Sequence, residues 1–599
     1  MTTKTSFFVR VIALLFTIHC SLFKASAQGW PANYGGVMLQ GFYWDGYADS
    51  NWTTLEDQAD EMSQYFSLIW VPNSAYANAL QNNMGYHPVY WFDHKSAFGT
   101  EAELRSMINT FKAKNVGIIE DIVINHRASV DGNWLNFPAE TWKGETYQLT
   151  AADICQDDES KDNGFKPTGA KDTGQGWGGA RDLDHTSANV QKNVKAYLDF
   201  LLNDLGYTGF RYDFVLGYAP KYIGLYNTAT NPAFSVMECW ENLNTIKQWI
   251  EGTKVDNVIQ SAAFDFPMKF NINDAFSNGG NWSKLDNANL TTQTGYDRYS
   301  VTFVDNHDTG RQGESPLYAN VEAANAYILT MPGTPCVWLS HWMAYKKAIK
   351  KMIATRKAAG LTNQSEIIKK GVNGNGYILI VKGQNGNVML LLGNATADIN
   401  GYQLATEGTL YKIYVSDGID LTAVQAIDKE GSTFSAPDFC QVNDNEICAF
   451  YEAPTSWTTV ACWAWNSTQN YSTGKWPGAT CTKVGTNNGK NVWKWTWDGK
   501  SYKPNSTTEM TPSGLPTNII FNNNNNGNQT SDLDFRNGGY YNQAGALQGI
   551  VTEISPINAD TEMTTKIYTL DGRLVRTNGS LDNLPKGVYI INGKKHVLK

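Results

Sequence analysis

The 599-residue chain has few charged residues, few cysteines and no excess of positive charge. Charged residues make up only 18% of it, and a net charge of -9 argues against a nucleic-acid partner, because phosphate binding needs a basic surface. Eight scattered cysteines without CxxC spacing exclude a disulfide scaffold and this common zinc pattern. Two cysteine pairs could each close a short loop in an oxidising compartment, Cys440 with Cys448 and Cys462 with Cys481. At this length the chain forms several domains rather than one core.

Aromatic residues are abundant, with 20 Trp and 30 Tyr. One interpretation is large hydrophobic cores with β-rich packing. The other is sugar binding, since the apolar faces of sugar rings stack on aromatic planes. Composition alone leaves both open.

The N-terminus has the features of a signal peptide. A basic start precedes an apolar run over 11–23, and Ala25-Ser26-Ala27 offers small residues for cleavage before Gln28. The run is too short to span a membrane, and no other stretch is long and apolar enough. A lipoprotein anchor at Cys20 is the rival interpretation, but Ile18-His19 before it makes a poor anchoring signal. We expect 1–27 to be removed and the chain to be exported.

Short apolar runs alternate with amphipathic stretches from about Val37 to Ala359. The predicted strands are 37–42, 68–71, 116–124, 208–212, 234–237, 262–264, 300–304 and 335–339, and three predicted helices are 55–65, 101–114 and 190–205. About eight strand–helix pairs predict an α/β fold, a (β/α)8 barrel over 28–359, with an inserted subdomain after strand three at about 127–186. An open doubly wound sheet is disfavoured, because no glycine-rich phosphate loop is present.

The remaining chain is β-rich. Alternating polar and apolar residues predict an antiparallel β-sandwich domain over 360–453. A Trp- and Asn-rich segment at 455–542 and a short C-terminal segment at 553–599 are expected to form further small β domains.

Polar residues gather where four of the predicted barrel strands end. They are Asp121, Asn125 and His126 after strand three, Arg211 and Asp213 at strand four, Glu238 and Trp240 after strand five, and His307 and Asp308 after strand seven. In a barrel, these strand ends meet at the face where reactive side chains lie. One acidic residue at a strand end is usually a helix cap, but several in succession predict a catalytic site.

These segments resemble the four sequence regions of the α-amylase family, glycoside hydrolase family 13, in the same order and over nearly all of 37–360. Gln40-Gly41-Phe42-Tyr43-Trp44, Ile154-Cys155-Gln156-Asp157-Asp158 and Asp213-Phe214-Val215-Leu216-Gly217-Tyr218 resemble the plant-type subgroup. The resemblance implies retaining hydrolysis of internal α-1,4-glucosidic bonds in starch, glycogen and related polysaccharides. A maltooligosaccharide-forming amylase or transglycosylase on this fold, or a non-catalytic starch-binding surface protein, are the alternatives.

The resemblance also assigns roles to residues. Asp213 would be the nucleophile, Glu238 the general acid/base and Asp308 the support of the transition state. Arg211, on the same strand as Asp213, would keep it ionised, and Asp121 would hold Arg211 in place. The other substrate-binding residues implied are Tyr86 as a stacking platform, His126, His307 and Trp240.

The segment after the nucleophile departs from the family. The two positions that are often Lys-His are Leu216 and Gly217 here. The subgroup shares the glycine but usually has a basic residue before it. Leu216 therefore removes an expected sugar contact on the leaving-group side, which leaves the product profile open.

The inserted segment is rich in the oxygen ligands that calcium prefers: Asp157, Asp158, Asp162, Asp172, Asp182 and Asp184. A solvated acidic loop is the alternative. Similarity to the subgroup implies one Ca²⁺ ion, held by the side chains of Asn125, Asp172 and Asp182 and the carbonyl groups of Ala180 and Gly217.

Residues 455–542 resemble starch-binding modules of carbohydrate-binding family 26. This similarity depends on Trp463 to Trp465, Tyr471, Lys475 to Gly478, Val492 to Trp495 and Thr517 to Asn522. A sugar platform needs exposed aromatic rings, for which Trp465, Tyr471 and Trp476 are the candidates. Alternation places Trp493 and Trp495 in the core. We expect deletion of this module to weaken binding to insoluble starch and to spare soluble substrate.

The segments 566–576 and 584–590 resemble a type IX secretion sorting domain, with a plain stabilising β module as the alternative. The resemblance implies passage through that secretion machinery to the medium or outer cell surface. Starch, glycogen and maltooligosaccharides are the expected partners of a monomeric chain.

Overall fold

The computed structural model describes residues 29–551, apart from 48, 78–82, 278–279, 430–435, 444–445, 525–526, 544 and 546, together with the C-terminal strands at 567–569, 574–576, 587–591 and 594–598. The predicted signal peptide lies outside the described residues. Across the part of the chain that the structure describes, no helix has the length and apolar character to cross a membrane.

Eight parallel strands close into a barrel. They are β1 Met38–Gln40, β2 Leu68–Val71, β3 Gly117–Ile122, β4 Gly209–Tyr212, β5 Phe234–Met237, β6 Ala262–Phe264, β7 Ser300–Phe303 and β8 Thr334–Trp338. Closure is direct, since Met38 pairs with Leu68 of β2 and with Cys336 of β8. The predicted (β/α)8 barrel is confirmed. Its strands are nearly all buried, which is why they read as continuous apolar runs.

Helices surround the barrel: Trp52–Asp57, Ala59–Tyr65, Glu101–Ala113, Ala188–Phe200, Lys221–Thr230, Leu243–Gly252, Phe266–Phe276, Val321–Thr330, Leu339–Ala344 and Lys346–Ala359. A capping box begins the third of these, where Thr100 and Glu103 each accept a backbone N–H from the other. The predicted helix 55–65 is two helices that meet at Gln58. The predicted helix 190–205 continues past Phe200 as one turn of π-helix, Leu201–Leu205.

The inserted subdomain follows β3 and is held by short strand pairs. His126–Arg127 pairs with Arg181–Asp182, so its first and last residues lie side by side at the end of β3. Within it, Glu140–Trp142 pairs with Glu145–Tyr147. The insertion therefore lies at the face of the barrel where the strands end.

The domain after the barrel is one five-stranded antiparallel sheet. Its strands are Glu366–Asn373, Gly376–Lys382, Asn387–Gly393, Tyr402–Gly408 and Tyr411–Ser416, and the helix Thr422–Lys429 follows. Leu379, Leu390 and Ile413 join the same hydrophobic core as the barrel helices. The barrel, rather than a second sheet, thus covers the inner face of this domain.

The next module is a sandwich of two sheets. One contains Thr482–Asn487, Lys490–Thr496, Cys448–Glu452, Gly539–Tyr541 and Leu547–Ile550; the other contains Ala479–Thr480, Ala461–Trp465, Asn518–Asn522 and Leu533–Asp534. Cys448–Glu452 is central in the first sheet, so the strand assigned from sequence to the preceding domain belongs here. Trp493 and Trp495 are buried between the sheets, as alternation predicted.

Two details complete the fold. All seven cysteines of the described residues are buried free thiols, so neither short loop is closed by a disulfide. At the C-terminus, Ile567–Thr569, Leu574–Arg576, Gly587–Ile591 and Lys594–Leu598 form an antiparallel sheet.

Candidate active site

One arginine joins the carboxylates at the ends of three strands. Arg211 Nη1 donates to Asp213 Oδ1 and to Asp121 Oδ1, each at 2.6 Å, and Arg211 Nη2 lies 2.9 Å from Glu238 Oε1. Arg211 and Asp121 are fully buried, whereas the side chains of Asp213 and Glu238 are 13% and 10% exposed. The two outer carboxylates therefore face a cleft, with the buried ion pair beneath them.

Glu238 is poised to carry a proton near neutral pH. Burial raises its pKa to about 8, and the nearby charges of Asp213 and Asp308 add to that rise. Arg211 and the backbone N–H of Phe214, which donates to Glu238 Oε2 at 3.2 Å, act in the opposite direction. Because burial dominates, Glu238 can donate a proton to a leaving group at pH 7.

His307 is held as a neutral imidazole between several partners. Burial and the charge of Arg211 lower its pKa well below the usual value. Gln40 Nε2 lies 2.9 Å from Nδ1, while Nε2 faces the hydroxyl of Tyr86 and, at 3.2 Å, Asp308 Oδ2. With Nδ1 accepting from Gln40, the Nε2–H group donates to the Tyr86 hydroxyl, which itself donates to Asp121 Oδ2 at 3.0 Å.

Trp44 extends this site, although the sequence analysis gave it no role. Its ring plane is within 14° of those of Tyr86 and His307, and the three ring centres are 5.6–6.1 Å apart. These three near-parallel rings therefore form one aromatic cluster. We call Trp44, Tyr86 and His307 the aromatic floor. The sequence signal that could have identified Trp44 is its place in the segment Gly41-Phe42-Tyr43-Trp44.

Arg311 was also missed from sequence. Its guanidinium group lies over Trp44, 4.0 Å from the ring centre, and donates to Asp308 Oδ1 at 2.9 Å. Burial raises the pKa of Asp308, and the charges of Arg211 and Arg311 counteract this rise. Arg311 comes three residues after Asp308, a spacing that carries no signal by itself.

The other predicted substrate residues border the same cleft. His126 Nε2 lies 2.9 Å from the carbonyl oxygen of Tyr86, and Trp177 of the insertion covers the His126 ring at 4.2 Å. Burial lowers the pKa of His126 to about 4, so this ring too is neutral. Trp240 stacks on Phe266 with ring centres 5.0 Å apart and stays partly exposed.

Leu216 is buried, 9% exposed, and belongs to the hydrophobic core. Its carbonyl oxygen accepts from the backbone N–H of Gln175 at 2.9 Å. The side chain therefore offers no polar contact to a sugar, as its apolar character predicted.

The structure brings the predicted metal ligands to the junction of the insertion with the barrel. Asn125 Nδ2 donates to Asp182 Oδ1 at 3.1 Å, and the side chain of Asn125 fills the space where Gly217 would carry a Cβ. The charge of Asp172 lies close enough to raise the pKa of Asp182, which burial takes to about 8. Asp172 Oδ2 is buried without a hydrogen-bond partner. Ala180 is buried directly before Asp182's strand.

This donor set fits a hard cation. The carboxylates of buried Asp182 and half-buried Asp172 repel each other here, and one oxygen of Asp172 has no donor, so a dication would relieve both conditions. Because Gly217 has no side chain, its backbone can lie against the Asn125 amide.

A second acidic group lies beside it. Among the described residues, Asp158, Glu159 and Asp182 have carboxylate oxygens within 4.8 Å of one another. Arg181 pairs with both Asp158 and Glu159, and the backbone N–H of Asp182 donates to Asp158 Oδ2 at 2.9 Å. Asp158 and Glu159 thus share one arginine, whose single charge offsets one of the two carboxylates.

Of the three aromatic residues predicted for a platform on the sandwich module, Trp476 is the most exposed, and it lies beside a ring that was not predicted. Trp476 is 42% exposed, and its ring centre lies 5.9 Å from that of the partly exposed Trp463. Tyr471, predicted as part of an exposed platform, is 1% exposed, and its hydroxyl donates to the carbonyl oxygen of Ser513 at 2.6 Å. That assignment is corrected, because the loop at Ser513 covers the ring. Trp465 is partly exposed.

Two carboxylates bound to one buried arginine, at the strand ends of a closed barrel and beside an aromatic floor, fit a glycoside hydrolase. The family described as "Alpha amylase, catalytic domain" matches residues 66–367, and "Starch-binding module 26" matches residues 449–535. The chain therefore belongs to the α-amylase family, glycoside hydrolase family 13, and carries a starch-binding module. It is a starch-degrading enzyme.

Several curated relatives are similar to this chain. The protein described as probable alpha-amylase 2 from Arabidopsis thaliana is 28% identical over 404 residues, 63% of this chain and 93% of the relative. Alpha-amylase 3, chloroplastic, from the same plant is 28% identical over 55% of this chain, which spans only 38% of that relative. A glucan 1,4-alpha-maltotetraohydrolase from Stutzerimonas stutzeri is 29% identical over 56% of this chain and 64% of the relative.

Proposed function

We propose that the protein hydrolyses internal α-1,4-glucosidic bonds in starch and glycogen with retention of configuration. The observation that carries this proposal is the sharing of Arg211 by Asp213 and Glu238. Carboxylates bound to neighbouring nitrogens of one guanidinium group lie close together. Retaining enzymes hold their two carboxyl groups about 5 Å apart, whereas inverting enzymes leave room for a water molecule between them.

The reaction divides between the two carboxylates. Asp213, held by Arg211, attacks the anomeric carbon, and Glu238 gives its proton to the glycosidic oxygen as the bond to the leaving sugar breaks. Glu238, now ionised, takes a proton from water, which attacks the anomeric carbon and releases Asp213. Asp308 and His307 bind ring hydroxyls and hold the distorted sugar over Tyr86.

For product length, the proposal includes more than one candidate. The buried side chain of Leu216 leaves the leaving-group side without the basic residue usual in the family. One similar protein is described as a maltotetraohydrolase, which supports a maltooligosaccharide-forming activity as the second candidate. Transfer to a sugar instead of water uses the same intermediate. Similarity to the two Arabidopsis proteins supports a plant-type relationship.

Asp213→Asn tests the mechanism. The variant is expected to lose hydrolysis of amylose by at least about 10³-fold, since it removes the nucleophile, and to keep granule binding through the module. Proton NMR of the first products of the wild type should show the α-anomer. Initial release of the β-anomer, or substantial turnover by Asp213→Asn, would contradict the assignment. A wild type without turnover would favour the non-catalytic starch-binding alternative.

The insertion is proposed to hold one Ca²⁺ ion. Its ligands would be the side chains of Asn125, Asp172 and Asp182 with the carbonyl groups of Ala180 and Gly217. Such an ion would neutralise the acidic residues and fasten the insertion beside the active site. Support comes from the buried, unpartnered oxygen of Asp172.

Export is proposed from sequence. The N-terminal signal peptide and the similarity of the C-terminal segment to a type IX sorting domain support release to the medium or the outer surface. Microscopy and fractionation of a strain that produces the full chain, compared with one lacking 553–599, would test this. We also propose that the protein is monomeric.

A further inference from the structure

The starch-binding module contacts the barrel through the tip of one hairpin. Thr482–Asn487 and Lys490–Thr496 are joined by a two-residue turn in which Asn488 and Gly489 have positive φ, the turn that matches strand twist. Directly after this turn, Lys490 Nζ lies 3.0 Å from Asp49 Oδ1 of the loop after β1. The hairpin thus presents a charge to the catalytic domain.

This ion pair is partly shielded from solvent, mainly on the Asp49 side. The side chain of Asp49 is 7% exposed and that of Lys490 is 26% exposed. Lys490 Nζ also lies 4.0 Å from Glu452, whose carboxylate accepts from Asn487 at 2.9 Å and from Tyr540 at 3.0 Å. Glu452 of the module therefore helps to orient the Lys490 side chain toward Asp49.

On the barrel side, Asp49 is connected to the aromatic floor through Tyr43. Its second carboxylate oxygen accepts a hydrogen bond from the hydroxyl of Tyr43. Tyr43 is followed by Trp44, the part of the aromatic floor on which Arg311 lies. The loop that carries Trp44 is thus anchored by a residue that the module neutralises.

We propose that Lys490 is a positioning residue for the active site: through Asp49 and Tyr43 it fixes the loop that places Trp44 in the aromatic floor. The module then has two functions, to bind polymer and to complete the catalytic cleft. This inference rests on the proposed hydrolysis, because Trp44 matters only if a glucan lies on that floor. It also changes the expectation from sequence that module deletion spares soluble substrate.

The physical basis is the cost of an unpaired buried charge. Without Lys490, Asp49 would be a poorly solvated carboxylate whose remaining partner among the described residues is the Tyr43 hydroxyl, and the loop would move to hydrate it. Movement of Trp44 weakens binding of glucose units on the floor while Asp213 and Glu238 keep their geometry. The effect should therefore appear in KM, with kcat nearly retained.

The experiment measures kcat and KM of the full-length enzyme on maltoheptaose, which is soluble. Lys490→Met is expected to raise KM roughly threefold to tenfold, the range for coupled groups in contact, and Lys490→Arg to restore it. Asp49→Asn removes the buried charge itself and should give a smaller rise, so the KM of the double variant should lie below that of Lys490→Met. Lys500→Met is the matched control, since Lys500 pairs with Glu509 within the module and both side chains are more than half exposed.

Binding of Lys490→Met to starch granules distinguishes a positioning role from unfolding of the module. We expect granule binding to remain at the wild-type level while KM on maltoheptaose rises. Unchanged KM in Lys490→Met and Asp49→Asn would overturn the proposal, as would strictly additive effects or failure of Lys490→Arg to restore KM. None of these outcomes affects the proposed hydrolysis, which Asp213→Asn tests separately.

Discussion

The guanidinium group of Arg311 lies 4.0 Å from the centre of the Trp44 ring, so a positive charge covers part of the aromatic floor. The same group donates to Asp308, which gives it two contacts in the cleft. A sugar that stacks on Trp44 must share this space with Arg311. The charge next to Asp308 and the shape of the cleft are therefore linked through one side chain.

Arg311→Gln should make Asp308 harder to ionise. Burial already raises the pKa of Asp308, and Arg311 counteracts that rise, so its removal raises the pKa further. Because Asp308 must be ionised to work, the acidic limb of kcat/KM moves to higher pH, by roughly 0.5 to 1 unit for a partly exposed partner. The pH profile on maltoheptaose measures this. Arg105→Gln, on an outer helix, is the control, and an unmoved acidic limb would contradict the role of Arg311.

Glu238 sets the alkaline limit of activity. Its pKa of about 8 lies above the ordinary value, so the proton that it donates is present below pH 8 and is lost as the pH rises through that value. We expect kcat to fall on the alkaline side near pH 8. Glu238→Gln, which cannot exchange the proton, should lower kcat about 10²- to 10⁴-fold. Persistence of the same alkaline limb in the residual activity of this variant would assign the limb to another group.

Removal of calcium should destabilise the protein. EDTA is expected to lower the thermal midpoint and added Ca²⁺ to restore it, because an ion that binds only the folded state at 100 times its Kd contributes about 2.7 kcal/mol. Asp182→Asn should make the midpoint insensitive to EDTA. Asp162→Asn removes an exposed acid of the same insertion and serves as the control. Equal midpoints with and without EDTA in the wild type would refute the site.

Trp476 should carry granule binding by the module. Its exposed ring beside Trp463 can stack on glucose units, so Trp476→Ala is expected to weaken adsorption to insoluble starch about tenfold. Met510→Ala changes another exposed apolar side chain of the module and should bind as the wild type does. Adsorption isotherms give the comparison; equal affinity of the Trp476 variant would place the binding surface elsewhere.

Local sequence patterns predicted much of the barrel and its carboxylates. Strands such as 68–71 and 234–237 were located because strands covered on both faces must be apolar throughout. Asp213, Glu238 and Asp308 follow such strands, and barrel geometry requires strand ends to converge. Tyr471 shows where this reasoning fails: whether an aromatic ring faces solvent depends on which loop packs against it, and the loop at Ser513 is distant in sequence.

By itself, the sequence determined the barrel, because local periodicity sets its strands, and the family, through the resemblance of the strand-end segments that also predicts the three carboxylates. Only the tertiary structure decided that Arg211 joins Asp213 to Glu238, that Arg311 covers Trp44, and that Lys490 meets Asp49. The last contact joins residues 441 positions apart in the chain. Such pairs depend on how whole domains pack, and no pattern along the chain records that packing.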